Sequence, residues 1–149
     1  MGFPVNEHLT EGLTVLSAVN TATVTTAVLS PAIDLSKIRK IVAIFTAGVL
    51  ATAETVTCKL QGCATAGGSY VDIPSSSFTL VKATDDNKSQ VIETNAENLN
   101  ALGLSYRYVK TSVAASVGSP VCVTVLGGCA VEEPISTNNT TNVKALNFV

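Results

Sequence analysis

Tryptophan is absent from this 149-residue chain, and only 5% of its residues are aromatic. Charge is scarce too: 13% of residues are charged and the net charge is -2. A field that weak and slightly acidic does not draw in nucleic acid or an acidic membrane surface. The single histidine, His8, lies near the N-terminus. A serine hydrolase needs its histidine beside the serine, and no G-x-S-x-G elbow is present. No apolar run is long enough for a bilayer span. The longest, residues 41–53, contains two threonines and a glycine. The start "MGFPVNEHLTEG" has neither the basic segment nor the apolar run of a secretory signal, and Asn6 breaks the myristoylation pattern. These absences point to a soluble protein made in the cytosol, with no membrane segment, no nucleic-acid partner and no enzymatic activity.

What is present is aliphatic. Apolar residues make up 46% of the chain, far too many for a disordered polymer. Most are Val, Ala, Leu and Ile, with Thr and Ser between them, and Val, Ile and Thr suit a half-buried pleated surface. So little charge also leaves little material to cover a free surface, which hints at cover by copies or partners.

No helical period persists along the chain. "ETVTCKLQG" alternates cleanly: Val56, Cys58 and Leu60 share one face, and Thr55, Thr57, Lys59 and Gln61 the other. "IRKIVAIF" is β-branched and apolar enough to suggest cover on both faces. "LTVLSAV", "SQVIET", "SYRYVKTSVAAS" and "VCVTVLGG" read as further strands. "SYVDI" and "SFTLV" read as two strands split by "PSS". "ATVTTAVLSPAIDL" reads as two short strands broken at Pro31, at an edge or a bend. "TDDNK" is turn chemistry, and "NAENLNALG" suits one short helical turn. Eight or nine short strands without long helices predict an all-β sandwich or barrel.

The ends do not share this alternation. We expect an N-terminal arm over residues 1–12, a β-sandwich over 13–133 and a C-terminal tail over 134–149. Ordering backbone costs ~1–2 kcal/mol per residue, so the tail needs about 15–30 kcal/mol of compensation. It has few apolar side chains to supply it, so the arms are either mobile or held by another chain. Phe3, Pro4 and Val5 at one end and Leu146, Phe148 and Val149 at the other are the candidate partner-binding residues.

Four cysteines raise the question of metal or redox chemistry. Cys58 and Cys63 have four residues between them and Cys122 and Cys129 have six, which does not match zinc-ligand spacing. Small buried apolar roles fit free cysteines better. The echo of "LQGCA" at 60–64 by "LGGCA" at 126–130 makes a Cys63–Cys129 disulfide a further expectation, formed if a particle leaves the cell. "AGGSY" lacks the phosphate-loop pattern and a following helix, and reads as a hairpin turn. Asp85 and Asp86 are adjacent in a turn and point apart. They lack the spaced oxygen ligands of a calcium loop. Lys37, Arg39 and Lys40 read as a solvated turn, or else as a contact for an acidic neighbour. No catalytic, cofactor or metal residue emerges.

The stretch "TVTCKLQGCATAGGSYVDIPSSSFT" resembles a recurring form in small structural proteins of tailed bacteriophages. There, an alternating strand ending in Leu-Gln is followed by a Gly-containing turn, an aromatic, "VDIP" and a short "SFT" strand. "IDLSKIRKIVAIF" and "YRYVKTSVAAS…VCVTVLGG" fit the same plan, so the resemblance covers about residues 23–128. It implies a jelly-roll-like antiparallel β-sandwich with extended N- and C-terminal arms, used as a capsid decoration (cement) protein. The partner implied is the major capsid protein, bridged across subunit junctions by a homotrimer. The setting implied is the capsid exterior of a virion assembled in the host cytoplasm. The cysteine pairs and the long tail depart from the family's form. An alternative is a carbohydrate- or receptor-binding module of a tail fibre or baseplate, with Tyr106 and Tyr108 as a platform, or another head or tail component.

Overall fold

A computed structural model describes residues 12–130. Nine strands occur among these residues: β1 (Leu13–Val24), β2 (Val28–Leu29), β3 (Ile33–Asp34), β4 (Ile38–Ala47), β5 (Thr55–Cys63), β6 (Val71–Val81), β7 (Ser89–Asn95), β8 (Tyr108–Ala115) and β9 (Ser119–Ala130). Two short helices interrupt them, α1 (Lys82–Asp85) and α2 (Ala96–Ala101). One sheet has the order β1-β9-β4-β7. The other has the order β2-β8-β5-β6, with β3 also pairing β8. Every strand pairing among the described residues is antiparallel. Each sheet interleaves early and late strands, which is the jelly-roll arrangement of two Greek keys. The expected jelly-roll-like sandwich is therefore the observed fold.

The strands follow from the alternation. Val56, Cys58 and Leu60 of β5 are fully buried, and Thr57, Lys59 and Gln61 face outward. They meet Ile41, Ala43 and Phe45 of β4 and Val121, Val123 and Val125 of β9 across the core. Phe45 and Phe78 pack edge to face, with ring centroids 5.4 Å apart, the geometry that aromatic quadrupoles favour.

Pro31 splits the strand beside β8 into β2 and β3 at the rim of its sheet, as expected. Two other segments differ from expectation. β1 runs through Val24, beyond the 13–19 read from the sequence. Two bulges, between Val15 and Ser17 and between Val19 and Ala22, break its side-chain alternation. "SYVDI" and "SFTLV" form one strand, β6, rather than two. The register passes from Gln61↔Asp72 to Lys59↔Ser77, so β6 carries a multi-residue bulge opposite Leu60. Ser76 holds the bulge together. Its buried hydroxyl accepts from Leu60 N at 3.3 Å and lies 2.7 Å from the carbonyl of Ile73.

The two short helices are local devices. In α1, the Asp85 carboxylate accepts from Val81 N. Asp86 accepts from Leu50 N and pairs with Lys82 at 2.6 Å. In α2, the helical turn expected from "NAENLNALG", Asn95 Oδ1 accepts from Asn98 N at 2.7 Å. Gly103, at φ 74°, lets the chain leave α2, and Leu99 anchors the helix in the core.

Candidate interaction surface

The two sheets present opposite chemistry to their surroundings. Register partners point to the same face of a sheet. On the sheet β2-β8-β5-β6, the outward rows pair Thr57 with Thr79 and Ala114, Lys59 with Ser77 and Ser112, and Gln61 with Asp72 and Lys110. Lys59 Nζ lies 2.7 Å from Asp72, and Gln61 donates to the same carboxylate. The Lys59 and Gln61 donors hold Asp72 below its ordinary carboxyl value. Leu29, 49% exposed, joins the Lys59 row through Ser112, so this surface is mainly polar, with the Lys59–Asp72 charges paired to each other.

The outward face of β1-β9-β4-β7 is apolar. One row reads Val15, Leu126, Val42 and Glu93. The next reads Ala18, Thr124, Ile44 and Val91. Val91 is 53% exposed, and Leu126, Val42 and Ile44 are half-buried. Lys40, Glu93, Thr46 and Ser89 form a polar border along the β7 side. Strand β4 thus carries apolar residues on both faces, as its sequence suggested. Ile41, Ala43 and Phe45 serve the core, while Val42 and Ile44 serve the surface. The sequence did not show that these two residues align with Leu126 and Val91 from distant segments. That needed the strand order.

The end of the sandwich holds the tyrosines. Tyr106 and Tyr108 do not share a platform. Tyr106 packs on the core over Gly62, where any Cβ would overlap its ring. Tyr70 and Tyr108 are the pair on the outer surface, and a cation covers each ring. Lys110 Nζ is 4.2 Å from the Tyr70 centroid, and the Arg107 guanidinium is 5.1 Å from that of Tyr108. Arg107 also makes a two-point contact with Asp34, at 3.0 and 2.8 Å. That contact holds the Asp34 carboxyl well below the usual carboxylate range, against the opposing effect of burial.

Glu54 is a buried carboxylate that sequence reading missed. It is 1% exposed, in the connection between β4 and β5. Its Oε1 accepts from Val117 N at 2.9 Å and Ser116 Oγ at 3.2 Å, and its Oε2 from Gly118 N at 2.8 Å and Ser119 Oγ at 3.1 Å. Burial pushes this carboxyl up, but the four donors outweigh it and hold the group below 4.5. The arrangement fastens the β8–β9 turn and leaves no lone pair aimed at a cleft, so it is a clamp.

The cysteines take the bland roles. All four are free. Cys58 faces the core, where burial pushes its thiol up to about 12, and Cys63 ends β5 with odd parity on the opposite face. The expected Cys63–Cys129 disulfide is therefore not present: Cys63 is buried on one sheet and Cys129 is exposed at the end of the other. No group of three or more His, Cys, Asp or Glu that could hold a metal occurs among the described residues. Asp85 and Asp86 serve different partners, as expected of a turn. Lys37, Arg39 and Lys40 are exposed. Phe3, Pro4, Val5, Leu146, Phe148 and Val149 lie outside the described residues, as do most of the expected arms.

No family model matches the chain, and no curated protein matches it. Among solved structures it is similar to a Bacillus endospore appendage protein described as forming disulfide-linked pili, at 11% identity and a TM-score of 0.43. That match covers 87% of this chain and 98% of the other. PirA is similar at 14% identity and a TM-score of 0.38, covering 78% and 82%. So is a protein of the empty virus-like particle of Cowpea Mosaic Virus, at 10% identity and a TM-score of 0.39, covering 94% and 96%.

Proposed function

We propose that this chain is a structural virion protein that binds the outside of a phage capsid and stabilises it by bridging major capsid subunits. The observation that carries the reading is the asymmetry of the sandwich. One outward face is mainly polar, with Leu29 as its exposed apolar residue, and the other is a mainly apolar sheet surface with a polar border. The sequence resemblance to tailed-phage structural proteins over residues 23–128 supports the same reading.

Magnitudes favour several copies acting together. Strands lie ~4.8 Å apart and same-face residues ~6.6 Å apart, so the two rows of four residues cover on the order of 250 Å². At ~25 cal/mol per Å², burying them yields about 6 kcal/mol. Association costs roughly 4–15 kcal/mol. One copy therefore binds weakly, and copies linked to one another bind well because each later contact forms at high effective concentration. The glycan-binding alternative lacks its platform, because Tyr106 is packed inward and both outer tyrosine rings are covered by cations.

The test is occupancy on purified capsids of the parent phage that lack this protein, read by co-sedimentation. The parent chain binds to a fixed stoichiometry. Ile44→Lys, on the apolar face, lowers occupancy severalfold, and Thr57→Lys, on the polar face, leaves it unchanged. Equal binding by both variants, or no binding by the parent, contradicts the proposal.

A further inference from the structure

The sandwich has four rims, and three are interrupted. β1 carries two bulges, and its Thr14, Val15 and Ala18 already make further interactions. β6 carries the bulge and Pro74, and Pro31 divides β2 from β3. Such interruptions are how sheets block strand addition. β7 alone is regular. It pairs with β4 over seven consecutive positions, Lys40↔Asn95 to Thr46↔Ser89, without a register shift or a proline.

The outward backbone groups of β7 can be assigned. Ala47 N donates to Lys88 O at 3.0 Å, which makes 47 and 88 a hydrogen-bonded pair. Antiparallel ladders alternate, so Gln90, Ile92 and Thr94 turn their N–H and C=O toward β4. Ser89, Val91 and Glu93 turn theirs to the open side, where β7 has no neighbouring strand among the described residues.

We infer that a second copy of this chain pairs with this edge, antiparallel, about a two-fold axis through Val91. Three observations select that occupant and register. Val91 then lies opposite Val91 of the second copy, and the outward row Ile44–Val91 continues as Val91–Ile44 across one eight-stranded sheet. Glu93, the only charged residue of β7, faces Ser89 of the second copy rather than another carboxylate. The two Glu93 side chains stand four residues apart along the ladder, about 13 Å, beyond the screening length of ~8 Å. The pairing also stops short of Asn95, whose side chain caps α2. A slip that centres the axis on Glu93 sets two carboxylates face to face, and one centred on Ile92 draws Asn95 into the ladder. This interface is independent of capsid binding.

Sedimentation velocity of the full chain over a concentration series is the test. The parent shows a concentration-dependent dimer. Val91→Pro removes an N–H that β4 does not use, so the fold stays intact by circular dichroism. Its dimer dissociation constant rises about tenfold or more, for the two lost hydrogen bonds, one from each copy, and the disturbed ladder geometry. Ser89→Glu places a carboxylate opposite Glu93 and weakens the dimer in the same direction. With Cys122 and Cys129 changed to Ser, Val91→Cys forms an intermolecular disulfide, because hydrogen-bonded antiparallel partners have Cα atoms about 5.5 Å apart. A parent that is monomeric at every concentration overturns the inference. So does an oligomer indifferent to Val91→Pro and Ser89→Glu, or a dimer that does not cross-link through Val91→Cys.

Discussion

Glu54 shows how much one buried residue can carry. Its carboxylate closes the β8–β9 turn through two backbone and two hydroxyl donors. Glu54→Gln keeps the shape but turns an amide N–H₂ toward donors, which costs about 2–4 kcal/mol in urea unfolding at neutral pH. The pH dependence has a definite sign. The folded-state value lies below the ordinary 4.5, so the stabilisation is complete above the unfolded value and is lost as pH falls through the folded one. Stability curves of parent and Glu54→Gln therefore converge on acidification. A gap that stays constant into acid contradicts the clamp. The cysteines give a second residue-scale expectation. Maleimide labels exposed Cys129 first, and Cys58 only on unfolding, since its thiol is buried and its ionisation is pushed up to about 12. The sequence showed Cys58 on the dry face of its strand, because alternation alone fixes that. It gave no sign of Glu54, because the donors come from residues more than 60 positions away.

At the scale of elements, regular strands were legible and irregular ones were not. β4, β5, β7 and β9 alternate or run apolar without interruption, and their sequence boundaries fall close to the observed ones. β1 and β6 contain bulges that flip the side-chain parity, so each read as ending early or as two pieces. The β6 bulge depends on Ser76. Ser76→Ala leaves Leu60 N without a partner in a buried position and costs about 1–3 kcal/mol, measurable as a lower urea midpoint. Gly62→Ala tests the other end of β5. A methyl group there overlaps the Tyr106 ring, and the resulting displacement costs about 1–3 kcal/mol. An unchanged midpoint in either variant removes the corresponding account.

For the molecule as a whole, composition pointed to covered surface, and the strand order gathers apolar residues suited to such cover on one outward face. Val42 and Ile44 come from β4, Leu126 from β9 and Val91 from β7. Their alignment is set by cross-sheet register, which no local pattern encodes. The opposite face pairs its Lys59 with Asp72. In the proposed assembly, the apolar face of β1-β9-β4-β7 is the contact with the capsid. Electron cryo-microscopy of a capsid carrying this protein tests it most directly. The expected density has Val42, Ile44 and Leu126 against the major capsid subunits while Lys59 and Asp72 face solvent. A map with Lys59 and Asp72 against the capsid and Ile44 in solvent would contradict it.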